Sequence, residues 1–138
     1  MRECRALIIQ VPFFKGADNG FISQVVMILK PAHFLPDDLV MEKGTAGDLM
    51  YFIASGNLDV YIDNKLISHL SPGQFFGEIA LLFGNMKRTA TVKAVTSCSL
   101  YSLSRSDLNF ILEVYPEMAE KMQVIAEERL ANNQYKKV

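Results

Sequence analysis

Residues 58–62 read Leu-Asp-Val-Tyr-Ile, so that apolar side chains recur at every second position. A period of two is typical of a β-strand that buries one face and leaves the other to solvent. An Asp-Asn pair follows at positions 63 and 64, and both residue types favour tight turns. This part of the chain therefore predicts a strand that ends in a hairpin turn.

Short runs rich in β-forming residues continue on both sides of this strand, throughout residues 33–104. Turn residues separate the runs, as at Gly47-Asp48 and Pro72-Gly73. Further strands are predicted at residues 90–94 and 98–104. Many short strands with frequent turns indicate a small antiparallel barrel or jelly roll.

Two short helices are predicted ahead of the strands. The first covers residues 2–10, and the second covers residues 19–30 with Asp18 or Asn19 as its N-cap. Pro31 is interpreted as the stop of the second helix, because proline cannot continue the hydrogen bonds of a helix.

Two more helices are predicted after the strands. Ser106 and Asp107 can cap a helix that reaches Tyr115, and Pro116 can open a final helix. Helical spacing places four residues of this final helix on one face: Met118, Met122, Ile125 and Arg129. The methionines are interpreted as core residues, and the arginine extends their apolar stripe.

The predicted fold class is therefore α+β, with helices at both ends of an antiparallel β-roll. The 138 residues are enough for one domain with its own core, and half of them are hydrophobic. We divide this domain into N-terminal helices (1–32), a β-roll (33–104) and C-terminal helices (105–138).

The charge, hydropathy and cysteine content argue against nucleic acid, membrane and metal binding. The net charge of −1, with both signs interspersed, gives no field that would attract nucleic acid or an anionic membrane. No apolar run is long enough to cross a bilayer. Cys4 and Cys98 fit no metal-binding spacing and are expected to be free thiols.

The strongest candidate for chemistry is the segment 75–91, FFGEIALLFGNMKRTAT. Gly77 permits a tight turn, and the residues after it favour a short helix. The free N–H groups at the start of such a helix, on Glu78, Ile79 and Ala80, favour an anion.

Two further features of this segment suit a phosphorylated sugar. Arg88 can grip a phosphate through two hydrogen bonds, and Thr89 adds a hydroxyl beside it. The carboxylate of Glu78 is an acceptor that suits sugar hydroxyls better than an anion.

The segment resembles the phosphate-binding cassette of the cyclic-nucleotide-binding domain family, whose pattern is F-G-E, a short apolar helix and R-[ST]-A-[ST]. Residues 44–56 (GTAGDLMYFIASG) resemble the turn and strand before the cassette. Residues 11–14 (VPFF) resemble the entry found in cyclic-nucleotide-regulated ion channels, and Tyr115-Pro116 fits the start of the lid helix. Arg88 lies one position further from Glu78 than in many members of the family.

The resemblance implies a sensor that binds cAMP or cGMP without converting it and without a cofactor. Arg88, Thr89 and the helix-start N–H groups would hold the phosphate, Glu78 the ribose and Arg129 the base. A hydroxyl at position 89 would also admit the guanine of cGMP. The implied ligand-binding residues are Phe76, Gly77, Glu78, Ile79, Ala80, Arg88, Thr89, Ala90 and Arg129.

The same resemblance implies partners and a location. The domain would lie on the cytoplasmic side of a plasma-membrane channel, where closure of its last helix acts on a linker, a pore and other subunits of a tetramer. The alternatives are a kinase regulatory subunit, a transcription regulator, a degenerate domain that binds no nucleotide, and a metal-dependent jelly-roll enzyme. His33 and His69 lie apart and are interpreted as structural or solvated residues.

Overall fold

The computed structural model describes residues 2–11, 14, 16–77 and 87–131, with only the main chain of 2–4, 125, 126 and 128–131. The helices are α1 (Arg2–Ile8), α2 (Asn19–Ile28), α3 (Arg105–Leu112) and α4 (Pro116–Ala131). The strands are β1 (Lys30–Phe34), β2 (Leu39–Met41), β3 (Leu49–Ser55), β4 (Leu58–Ile62), β5 (Lys65–Leu70), β6 (Phe75–Phe76), β7 (Thr91–Ala94) and β8 (Cys98–Ser104).

The strands form two four-stranded antiparallel sheets. One sheet has the order β1-β8-β3-β6 and the other has the order β2-β7-β4-β5. Strands that are distant in sequence, such as β1 and β8, therefore pair directly. Together with the flanking helices, this arrangement confirms the predicted α+β jelly roll.

Strand β3 lies between two hydrophobic cores and buries both of its faces. Met50 and Phe52 belong to the core between this sheet and the helices. Tyr51 and Ile53 belong to the core between the two sheets. The alternation of side chains across a strand explains why this strand is apolar at consecutive positions.

The helices pack on the outer side of the first sheet through the first of these cores. Phe21 of α2 makes an edge-on contact with Tyr115, the residue before α4, with ring centroids 5.6 Å apart. Met118 and Met122 of α4 are buried in the same core, as predicted from their spacing. Within the described parts of the chain, no helix is long and apolar enough to cross a membrane.

Several predicted boundaries agree closely with the structure. The strands at 58–62 and 98–104 have the predicted limits. The Asp-Asn pair at 63 and 64 adopts φ values of 52° and 67°, as the turn of a tight hairpin requires. Asp18 caps α2, because its carboxylate accepts hydrogen bonds from the N–H groups of Gly20 and Phe21.

The boundaries of two helices were predicted wrongly. Helix α2 ends at Ile28, and Pro31 lies inside β1 instead of stopping the helix. Strand β1 is at the edge of its sheet, where a residue without an N–H group is tolerated. Helix α3 is capped by Ser104, the last residue of β8, and it ends at Leu112 instead of Tyr115.

Candidate functional site

The described part of the predicted cassette consists of residues 75–77 and 87–91. Glu78, Ile79, Ala80 and the short helix predicted around them lie outside the described residues. The backbone of Arg129 belongs to α4, but its side chain is not described. The contacts predicted for these four residues therefore stay predictions.

The main chain of Arg88 is fixed to the turn between β2 and β3. Its N–H group donates to the carbonyl of Thr45 at 2.8 Å, and its carbonyl accepts from the N–H group of Gly44 at 2.9 Å. An isolated β-bridge between Ala46 and Lys87 continues this pairing. The glycine-bounded turn at residues 44–47 thus fixes the position at which the arginine leaves the backbone.

The side chain of Arg88 is half-buried and bonded to main-chain carbonyls. One terminal nitrogen, Nη2, donates to the carbonyl oxygen of Leu49 at 2.7 Å. The other, Nη1, lies 3.5 Å from the carbonyl oxygen of Gly77. A guanidinium carries five N–H groups, so these two contacts leave capacity for a further acceptor.

Among the described residues, no carboxylate is bonded to the guanidinium of Arg88. Salt bridges among the described residues do not include this arginine. Burial lowers the pKa of Arg88, while Tyr51 and Asp48 act in the opposite direction. Because the ordinary pKa of an arginine lies far above neutral pH, the group stays charged at neutral pH. The site therefore contains a partly desolvated cation whose bonded partners are neutral.

Tyr51 lies beside this cation, and sequence reasoning did not single it out. Its ring stacks on Phe76, with centroids 5.2 Å apart, and meets the edge of Phe34. Burial raises the pKa of the Tyr51 hydroxyl, and the nearby charge of Arg88 opposes that rise. Phe76, a predicted ligand contact, lies in the core between the sheets.

The two residues after Arg88 differ in their surroundings. The hydroxyl oxygen of Thr89 is buried, and no hydrogen-bond partner for it is found among the described residues. The side chain of Ala90 is fully buried in the core between the sheets. Thr89 therefore offers a buried hydroxyl without a partner among the described residues, whereas Ala90 anchors the chain in the core.

Gly77 approaches the same group from β6. Its φ of 81° is a left-handed conformation that glycine adopts without strain. A Cβ atom built on it would lie 2.9 Å from the carbonyl oxygen of Leu49 and 3.0 Å from Nη1 of Arg88. The structure thus brings together Gly77 and Arg88, two of the predicted site residues.

Both histidines pair with neighbouring polar side chains. His33 Nδ1 lies 3.1 Å from the hydroxyl of Ser99, and His69 forms a hydrogen bond with Asp59. In the described part of the chain, no group of three or more His, Cys, Asp or Glu residues is placed to hold a metal ion. Both histidines are exposed, and their interpretation as structural or solvated residues stays a prediction.

Comparison with known families gives a direct match. The family profile described as "Cyclic nucleotide-binding domain" matches residues 31–115, which is more than half of the chain. The matched range begins in β1 and ends just before α4, so it covers both sheets and the candidate site.

The chain is also similar to channel proteins from mammals. It is 41% identical over 128 residues to the mouse potassium/sodium hyperpolarization-activated cyclic nucleotide-gated channel 2, which is 93% of this chain and 15% of that channel. It is 41% identical over 127 residues to the human channel 3 of the same name, covering 92% of this chain and 16% of that channel. The chain therefore spans only about a sixth of the length of these relatives.

A solved structure with the same fold is the regulatory domain of Toxoplasma gondii PKA in co-crystals with cAMP. It superposes with a TM-score of 0.73 at 28% identity, over 80% of this chain and 43% of that one. With a family profile that covers both sheets and relatives that are 41% identical over nearly its whole length, the chain belongs to the cyclic nucleotide-binding domain family.

Proposed function

We propose that this domain binds a cyclic nucleotide without converting it chemically. The observation that carries the proposal is the half-buried guanidinium of Arg88, which is bonded to two main-chain carbonyls. The next residue, Thr89, adds a buried hydroxyl with no partner among the described residues. A cation that has lost part of its hydration, with no salt bridge among the described residues, favours an anionic ligand. The phosphate of a cyclic nucleotide supplies that charge and also the acceptor for Thr89.

The remaining contacts of the nucleotide are proposed from the family resemblance. The N–H groups of Ile79 and Ala80 would complete the phosphate site, and the carboxylate of Glu78 would accept from the ribose hydroxyl. Arg129 would meet the base, since it follows Met118 and Met122 on the same face of α4.

Both cAMP and cGMP are proposed ligands. The co-crystal of the Toxoplasma gondii regulatory domain with cAMP supports cAMP as a ligand of this domain. A hydroxyl at Thr89 can accept from the exocyclic amine of guanine, and without that partner it can turn to the phosphate. The residue therefore admits the guanine ligand and still allows the adenine ligand.

We further propose that the domain is a cytoplasmic part of a cation channel subunit, in which movement of α4 on ligand binding acts on a linker, the pore and neighbouring subunits. Identity of 41% over 93% of the chain to channel relatives supports this role. A kinase regulatory role is the second candidate, but that neighbour is 28% identical over 80% of the chain.

The deciding experiment for ligand binding is a calorimetric titration of the domain with cAMP and with cGMP. The non-cyclic 5′-AMP serves as the control ligand, because it carries the same base and sugar with a different phosphate geometry. Saturable binding of a cyclic form and much weaker binding of 5′-AMP is the expected result. A flat titration with both cyclic nucleotides would instead identify a degenerate domain.

Movement of α4 is tested separately by hydrogen exchange. Amides of α4 should exchange more slowly at saturating cAMP than without ligand, because the closed state binds the nucleotide better. Unchanged exchange in α4 together with tight binding would reject lid closure while leaving ligand binding intact.

A further inference from the structure

The backbone conformation at Gly47 does not require a glycine. Five other glycines of the described chain have positive φ, from 76° to 93°, and Gly47 is not among them. An alanine at position 47 would therefore not be strained by its backbone conformation. The reason for a glycine at this position has to lie in what surrounds it.

The surroundings of Gly47 are the guanidinium of Arg88. A Cβ atom built on Gly47 would lie 2.5 Å from Nε, 2.8 Å from Nη2 and 2.9 Å from Cζ of that side chain. Contacts this short are not tolerated, so an alanine would push the guanidinium away. Nη2 is also the atom that donates to the carbonyl of Leu49, two residues along the chain.

We propose that Gly47 is a positioning residue for Arg88. The missing side chain at 47 leaves the space in which the guanidinium reaches the Leu49 carbonyl, and this contact sets where the positive charge meets the phosphate. The inference rests on the proposed binding of a cyclic nucleotide, and it adds a residue that does not itself touch the ligand.

Gly77 would be a poorer choice for testing this idea. A Cβ atom there also approaches Arg88 Nη1, at 3.0 Å, but the positive φ of 81° adds backbone strain to any substitution. Gly47→Ala separates the two effects, because it introduces the contact without the strain.

The first test is a double-mutant cycle on stability, measured without ligand. Gly47→Ala should lower the midpoint of thermal unfolding in the wild-type background and have little or no effect in the Arg88→Ala background, where the space is free. If Gly47→Ala is too unstable to purify alone, the double variant should still recover a folded protein. Equal destabilisation in both backgrounds would overturn the proposal.

The second test is affinity for cAMP. Gly47→Ala should weaken binding about tenfold or more, because a displaced guanidinium makes poorer charge-assisted hydrogen bonds to the phosphate. Gly73→Ala is the matched control, since its φ of 93° strains the loop while its Cβ atom would meet only Gln10, at 3.9 Å. Gly73→Ala should unfold more easily and keep wild-type affinity while folded.

The outcomes distinguish this inference from the proposed function. Wild-type protein that binds no cyclic nucleotide contradicts the proposed function, yet the stability cycle still decides whether Gly47 positions Arg88. Wild-type protein that binds cAMP, with Gly47→Ala binding equally well, contradicts the inference and leaves the proposed function in place.

Discussion

The guanidinium of Arg88 donates a 2.7 Å hydrogen bond to the main-chain carbonyl of Leu49, the first residue of β3. The two residues are 39 positions apart in the chain. This bond joins the end of the predicted cassette to a strand that is buried on both faces. The position of the charge is therefore tied to a strand that lies between the two cores.

Arg88→Ala should weaken cyclic-nucleotide binding by about 2–5 kcal/mol, because the phosphate would lie partly buried without its charge partner. Isothermal titration calorimetry with cAMP measures the change. Lys93→Ala is the control, because it removes the same charge from an exposed side chain 3.8 Å from Asp37. Similar affinities for the two variants would contradict the role of Arg88.

Thr89→Val should weaken ligand binding without lowering stability. The valine removes a buried hydroxyl without a described partner, so unfolding free energy should stay equal or rise by about 1 kcal/mol. Affinity for cAMP should fall by about 1.5–3 kcal/mol, the range for a hydrogen bond to a charged group. Chemical denaturation and calorimetry give the two quantities.

Thr91→Val is the stability control for that experiment. The hydroxyl of Thr91 accepts a 3.0 Å hydrogen bond from the N–H group of Lys43, so its removal should lower the unfolding free energy by about 1 kcal/mol. A loss of stability in Thr89→Val as large as in Thr91→Val would show that the hydroxyl of Thr89 is already satisfied.

Met122→Ala should lower the unfolding free energy by about 2–5 kcal/mol, since the side chain is 3% exposed and its removal leaves a cavity between α4 and the sheet. The exposed neighbour Gln123 provides the control, and Gln123→Ala should stay within about 0.5 kcal/mol of the wild type. Urea denaturation compares the two. A small effect of Met122→Ala would indicate that α4 is only weakly attached.

Stability should also fall in alkaline solution because of Cys98. Burial raises the pKa of this thiol above its ordinary value of 9.0. At a pH above 9.0 the unfolded chain releases a proton that the folded chain retains, so unfolding becomes easier as the pH rises towards the folded-state pKa. Below pH 9.0 this contribution is constant.

The measurement is the unfolding free energy of wild type and Cys98→Ala across this range of pH. The variant should lose the part of the pH dependence that begins near 9.0. Tyr51, whose pKa is raised above 10.0, would cause a further decline at higher pH in both proteins. Identical curves for the two proteins would contradict the assignment to Cys98.

Local patterns were enough to predict the elements that depend on local chemistry. The alternation in β4 and the Asp-Asn turn after it predicted the limits of this strand correctly. The hydrophobic period and the turn type both depend on residues that are neighbours in the sequence. Pro31 misled the prediction, because proline stops a helix and is also tolerated in an edge strand. Only the sheet order separates those two outcomes.

The sequence analysis could select side chains for the site but not the main-chain groups that hold Arg88. Arg88 and Thr89 were selected by residue type and family pattern. The carbonyls of Leu49 and Gly77 have no sequence signature, because every residue carries one. Gly47 looked like an ordinary turn glycine, and only its distance from the guanidinium reveals a different reason for it.

The turn at residues 44–47 and the Leu49 carbonyl restrict Arg88 at both ends of its side chain. An arginine held still loses up to about 2 kcal/mol of rotamer entropy. Here the side-chain entropy is lost during folding, so it does not reduce the free energy of binding an anion. The affinity of this site for small anionic fragments of the nucleotide should therefore fall less steeply with rising temperature than the affinity of a surface arginine. The side chain of a surface arginine still has to be ordered when the anion binds.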